Sequence, residues 1–521
     1  MSAIVTDQFR ILNANNFVES VESTSNSYYV FVGLSNPTIV GYGRSEHWNV
    51  NTPAPVDNFT NNKHAGDTMM FGKKISSANI RRIIRKVNWF SGTRYEIYRD
   101  DYSVSNPSTL TAASRLYCAN YYVMNSDYRV YICIENGSTG TVPLGNVSQD
   151  EPTFTDLEPS RAGNSGDGYI WKYLFTIAPS DIIKFDSTEY ITVPNNWATS
   201  SDAQIRAVRE NGDSSTNENQ IKTVYIEKQG DNYAQGLGQE VDILGDGTGA
   251  KVRVDVDSSG KITDTVVTAG GKDYSYGVVD LGALNSNVGV SNQAKLIPII
   301  PPSLGHGYDL YSELGTDKVL IYARFDDSTK DFPTDTKFAQ VGIVKNPTSI
   351  GSTLTYTQNT FSSTSSIKLS SITGTPVIGE KIRQQVTVGT TNGTATGYVA
   401  SYDKETKVLK YYRDRNLYFN STTNDQQDYS GISTSGKIYQ FQSSASQITG
   451  GSFSGAVDTN FSGISTNPTG TKLINLGVNF TNGLANSEIN KGSGEVIYLD
   501  NRAIIARNSR QKEDVKIILE F

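Results

Sequence analysis

Between residues 166 and 194 the chain reads GDGYIWKYLFTIAPSDIIKFDSTEYITVP, its densest apolar run outside the C-terminus. On an extended chain Tyr169, Trp171, Tyr173, Phe175 and Ile177 fall on one side, and Ile170, Lys172, Leu174 and Thr176 on the other. Period two with aromatic and β-branched residues predicts a strand. Its second side is also partly apolar, which predicts a central strand covered on both faces. EYITVP (189–194) predicts a second strand of the same sheet. Similar patterns recur in YYVFVGLS (28–35), VLIYARF (319–325) and FAQVGIV (338–344). Val515, Ile517, Leu519 and Phe521 alternate as well, so this last segment is expected inside a sheet. Residues 115–135 predict a hairpin around Asn125, Ser126 and Asp127. Residues 1–50 are expected to hold short strands, and the Pro-, Asn- and Asp-rich residues 51–66 a surface loop. In residues 69–95, Ile80, Ile83, Ile84 and Val87 fit helical spacing. The β-branched content fits a strand. Both readings stay open there, with the strand ahead.

The texture changes at about residue 216. Gly230-Asp231-Asn232-Tyr233 returns as Gly271-Lys272-Asp273-Tyr274, each after a β-rich run. Between the copies KVRVDVD (251–257) alternates cleanly. Residues 255–260 resemble half of a calcium loop, but the acid required at loop position 12 falls on Val266. A hairpin turn is expected there. The glycine-rich 245–250 lacks the Lys-Ser/Thr ending and following helix of a phosphate loop, and is read as another turn. Residues 351–485 are rich in Ser, Thr, Gly and Asn and predict a meander of short strands at 377–382, 392–399 and 407–409. The resulting expectation is a mainly β fold with a few short helices. A discontinuous, β-sandwich-like core is drawn from 1–215, 303–350 and 486–521, with all-β modules inserted at 216–302 and 351–485.

Charge and chemistry narrow the function. The 521 residues carry a net charge of −7, which argues against sequence-independent nucleic-acid binding. The most basic segment holds Arg81, Arg82, Arg85 and Lys86. It is either a solvated face or an interface for an acidic protein partner, and these four residues are the candidate interface. No apolar stretch is long enough to span a membrane, and the first residues lack the pattern of a signal peptide. Cys118 and Cys133 form no disulfide framework and are expected to be buried free thiols of a protein made in a reducing cytoplasm. His47, His64 and His306 have no clustered partners, so no metal site is expected. Ser45, Glu46 and His47 are adjacent on extended chain and point apart. No catalytic residue or cofactor site is assigned.

Seven blocks then carry a resemblance. They are AIVTDQFR (3–10), GRSEHW (43–48), Trp89 with Gly92-Thr93-Arg94-Tyr95, GDGYIWKYLFTIAP (166–179), EYITVP (189–194), SGEVIYLDNRAIIA (493–506) and DVKIILEF (514–521). In this order they resemble the baseplate wedge subunit encoded by gene 8 of T4-like contractile-tailed bacteriophages. Each block is short; the shared order is the specific part. The resemblance covers 1–215, parts of 303–350, and 486–521. The two modules depart from the family and resemble modules of cyanophage tail proteins. The resemblance implies a non-enzymatic homodimer in the virion's tail baseplate, contacting other wedge proteins, with no nucleic-acid or membrane partner. The alternative is a carbohydrate-binding or depolymerising tail protein, suggested by the Tyr-rich modules with their Gly turns. A secreted adhesin is disfavoured by the lack of a signal pattern.

Overall fold

A computed structural model describes all residues except 1–4, 36, 38–47, 213–219, 285–288, 290–291, 327–335, 413–417, 420–425, 428–438 and 509–510. The chain is mainly β, with several sheets and few helices. The core anticipated as one body is two compact units. One comprises Met1–Asn16, Arg81–Leu320 and Ile518–Phe521; the other comprises Phe17–Ile80 and Ile321–Ile517. The break within residues 69–95 has a local cause. The strands Met69–Ile75 and Ile80–Arg85 are separated by a turn at Ser77–Asn79. The Ser76 hydroxyl donates to Asn79 Oδ1 at 2.8 Å and fixes that turn. The strand reading of this segment therefore holds, but as two strands.

In the first unit the strand Tyr169–Thr176 lies between Arg129–Asn136 and the short strand Ser160–Arg161, with Tyr122–Met124 beyond. Tyr122–Met124 and Arg129–Asn136 form the expected hairpin. Tyr169, Trp171, Tyr173 and Phe175 are buried on one face, and Lys172 and Leu174 on the other. Hydrophobic burial drives this packing, while the tyrosine hydroxyls also tie down irregular chain. Tyr131 donates to Phe154 O at 2.6 Å, Tyr169 to Asn146 O at 2.9 Å and Tyr121 to Glu313 O at 2.6 Å. A buried tyrosine thus supplies apolar contact and satisfies a loop carbonyl together.

Three local expectations are corrected. EYITVP forms Tyr190–Val193, which pairs with Ile80–Arg85 and not with the aromatic strand. Pro179 opens the helix Pro179–Phe185, which interposes a turn of chain between the two strands. Residues 1–50 begin with the helix Asp7–Glu22. Its buried Ile11, Ala14, Val18 and Val21 follow helical spacing, and Thr6 Oγ1 accepts from Phe9 N at 3.3 Å as a cap. The expected loop gives way to the helix Phe59–Thr68, where Asn58 Oδ1 accepts from Asn61 N at 2.7 Å.

Residues 221–300 carry their own sheet, ordered Ile262–Lys272, Thr248–Val256, Gly236–Gly245 and Gly277–Val279. Both glycine- and aspartate-rich segments are hairpin turns, and Asp257 Oδ1 accepts from Ser259 N and Lys261 N. The repeated tetrapeptides share a conformation. Gly230 and Asn232 have φ of 66° and 67°; Gly271 and Asp273 have 65° and 63°. Two left-handed residues turn the chain so that Tyr233 and Tyr274 enter the core. Either glycine, given a Cβ, would meet its own tyrosine ring at 2.7 Å. The chain enters this module on Val224–Lys228 and leaves on the antiparallel neighbour Lys295–Pro298.

In the second unit a five-stranded sheet is ordered Thr360–Ser362, Met69–Ile75, Tyr28–Gly33, Lys337–Lys345 and Glu495–Ala506. Tyr29, Phe31, Val344, Tyr356 and Phe361 pack on it. Six further strands close into a ring: Ser365–Gly374, Val408–Tyr412, Thr391–Asp403, Lys381–Val388, Ile448–Thr449 and Phe453–Val457, which pairs back with the first. The cluster of this barrel includes Ile367, Leu369, Ile382, Val399, Leu409 and Ile448. The expected strands at 392–399 and 407–409 fall within or beside Thr391–Asp403, 13 residues long, and Val408–Tyr412, but 377–380 is a turn and the strand expected at 377–382 begins only at Lys381. Among the described residues no helix is long and apolar enough to cross a membrane.

Candidate interface

The basic strand Ile80–Arg85 is covered on both faces. Arg82 shares a side with Ile80 and Ile84 by period two, and is only 3% exposed. Its guanidinium lies 4.2 Å from the Tyr311 ring centroid, donates from Nε to Asn15 Oδ1 at 2.6 Å and from Nη1 to Asn195 O at 3.2 Å. Cation–π contact and amide oxygens compensate the burial of that charge. Arg81 Nε reaches Asp181 Oδ2 at 2.8 Å and lies over the Phe185 ring. Lys86 Nζ reaches Asp186 Oδ1 at 2.8 Å. These two cations grip the helix Pro179–Phe185 and the residue that follows it. Arg85 donates to Ala119 O at 2.8 Å and to Asn120 Oδ1 at 3.3 Å, while the Tyr122 hydroxyl donates to Arg85 O at 2.8 Å. The strand and the residue that follows it thus bring the four predicted residues together, and each has partners inside the chain.

His47 lies outside the described residues. His64 is buried in the helix Phe59–Thr68, and His306 is buried with Nδ1 2.6 Å from Glu313 Oε1. Glu313 also accepts from Gly307 N at 2.7 Å, so the pair fixes the turn before the helix Leu310–Leu314. Cys133 is buried as expected; Cys118 is exposed, in the turn Leu116–Cys118, which corrects the reading of both thiols as buried. Lys172, on the covered face of the aromatic strand, donates to Leu157 O at 2.7 Å, and burial lowers its pKa to about 8.

Residues 3–231 match the family model for bacteriophage T4 Gp8. Over these residues the chain is gp8-like. Its similarity to the baseplate wedge protein gp8 of Enterobacteria phage T4 is 27% identity over 216 residues, covering 37% of this chain and 60% of that protein. The gp8-like part contains the basic strand, the aromatic sheet and the strand Val224–Lys228 by which the chain enters the first module.

Proposed function

We propose that the protein is a structural, non-enzymatic subunit of a phage tail baseplate wedge. The observation that carries the reading is the gp8-like match across residues 3–231. The build of this region supports it: buried aromatic side chains and internally paired cations make a rigid scaffold suited to holding neighbours. The proposal includes a homodimer, contacts with other wedge proteins, assembly in the host cytoplasm and residence in the contractile tail's baseplate. It also includes the two modules as insertions at 216–302 and 351–485, and a partner surface around Arg81, Arg82, Arg85 and Lys86. Arg81 and Lys86 are already ion-paired within the chain and Arg82 is buried, so the segment would offer a partner a preorganised surface rather than a cluster of free charge.

The carbohydrate-binding alternative started from tyrosines beside glycine turns. Tyr233 and Tyr274 are buried and hydrogen-bonded to backbone, so the repeated motif serves the core and no observation favours sugar binding. Sedimentation velocity over a concentration series, alone and mixed with the other wedge proteins of the same phage, tests the reading. A concentration-dependent dimer that co-sediments with a wedge protein is expected. A monomer that co-sediments with none of them overturns it.

A further inference from the structure

In the first unit a cavity of about 300 Å³ is lined by the charged residues Arg10, Arg85, Arg115, Lys318, Asp317 and Glu520. Four cations face two carboxylates, in a chain whose net charge is −7. Two of the cations are incompletely satisfied: the Nε atoms of Arg10 and Arg85 are buried and have no hydrogen-bond partner. Arg85 is held by its bonds to the turn at 119–120, which limits the ordering needed on binding.

A carboxylate already occupies part of this space. Glu520 Oε1 lies 3.2 Å from Lys318 Nζ and 3.9 Å from Arg10 Nη1, and its side chain is 59% exposed. The chain thus shows that a glutamate side chain fits among these cations and that the resident one is loosely held. Burial alone would lower the Lys318 pKa, but Asp317 and Glu520 beside it keep it above its usual value. Arg115, also a lining residue, pairs with Asp7 and is half exposed.

We propose that this cavity receives a carboxylate side chain from an acidic segment of a partner protein, which displaces Glu520 from Arg10 and Lys318. The occupant is chosen by charge complementarity and by the resident glutamate. The proposal goes beyond the wedge reading and stands without it.

Calorimetric titration of the full chain with hexaglutamate at low salt tests it, with inorganic phosphate and hexalysine as comparison ligands. Saturable binding of hexaglutamate that weakens with added salt is expected. Arg10→Gln and Arg115→Gln should each weaken it by about tenfold. Glu520→Gln should tighten it several-fold because the internal competitor is gone, a gain that misfolding does not mimic. Bound hexaglutamate should also slow alkylation of Cys118, an exposed lining residue, by neutral iodoacetamide. The proposal is overturned by the absence of saturable binding, by affinities unchanged in all three variants, or by weaker binding in Glu520→Gln. Phosphate bound as tightly as hexaglutamate would also overturn it, by showing a general anion site.

Discussion

Single side chains here carry more than one duty, and substitutions should expose each duty separately. Tyr274 accepts from Ala250 N at 3.2 Å and donates to Ile243 O at 2.9 Å, whereas Tyr233 accepts from Ala294 N at 2.9 Å. Tyr274→Phe keeps the ring and leaves two buried backbone groups unpaired, so it should cost about 1–3 kcal/mol, with Tyr233→Phe costing less. Thermal melts of the two variants check the order. Burial pushes the Glu135 carboxyl up to about 7, against the opposing pull of Arg161, and nearby Asp264 adds to the rise. Between its ordinary value near 4.5 and about 7 the folded chain holds a proton that the unfolded chain has released. The contribution of Glu135 to stability therefore falls as pH rises through this window and stays unfavourable above it. Glu135→Gln should raise stability at pH 8 by up to roughly 3 kcal/mol and change little near pH 4. Melting points compared at the two pH values check the sign.

Among the elements, the joins between modules and sheets are the informative places. Ser362 N donates to Glu488 Oε2 at 2.5 Å and Glu488 N to Ser362 O at 2.9 Å, so the chain leaves the five-stranded sheet and returns to it at neighbouring residues. Replacing residues 365–485 by a short Gly-Asn-Gly turn should leave that sheet folded. Removing 351–485 should destabilise it, because Thr360–Ser362, Tyr356 and Phe361 go too. Circular dichroism melts of the two deletions check the contrast. The aromatic strand and the 122–136 hairpin were legible because their apolar runs are dense and buried, and the final strand because its apolar residues alternate, though only Ile517 of them is fully buried. The helix Asp7–Glu22 was less so: four buried positions among polar neighbours give a weak amphipathic signal, though Thr6 and the Ile11-to-Val21 spacing were there to read. Segment 189–194 has clear strand text, but text does not name a partner strand. The basic residues Arg81, Arg82, Arg85 and Lys86 were legible as a run, whereas Arg10, Arg115 and Lys318 meet Arg85 only through folding and leave no mark in spacing.

For the molecule as a whole, stability and association are the two properties to separate. Arg81 and Lys86 pair with Asp181 and Asp186, so the double variant Arg81→Gln/Lys86→Gln should lower the melting temperature whether or not the segment meets a partner. Self-association measured by sedimentation on the same variant then reports the interface role. If the unaltered chain forms the proposed dimer, a folded double variant that stays monomeric assigns the segment to the contact, and one that still dimerises confines the cations to bracing. The first module is held in a comparable way. Arg99, fixed by Asp101, lies 4.1 Å from the Tyr225 ring centroid, and Asp100 accepts from Ile300 N at 3.1 Å. Both ends of the module are therefore fastened to one short stretch of chain.

That arrangement has a mechanical consequence. Val224–Lys228 and Lys295–Pro298 run side by side in opposite directions, so a pull on the body of the module stretches both toward the same end. Neither slides past the other, and the tension passes along the pair to Arg99 and Asp100 instead of shearing the hydrogen bonds between the two strands.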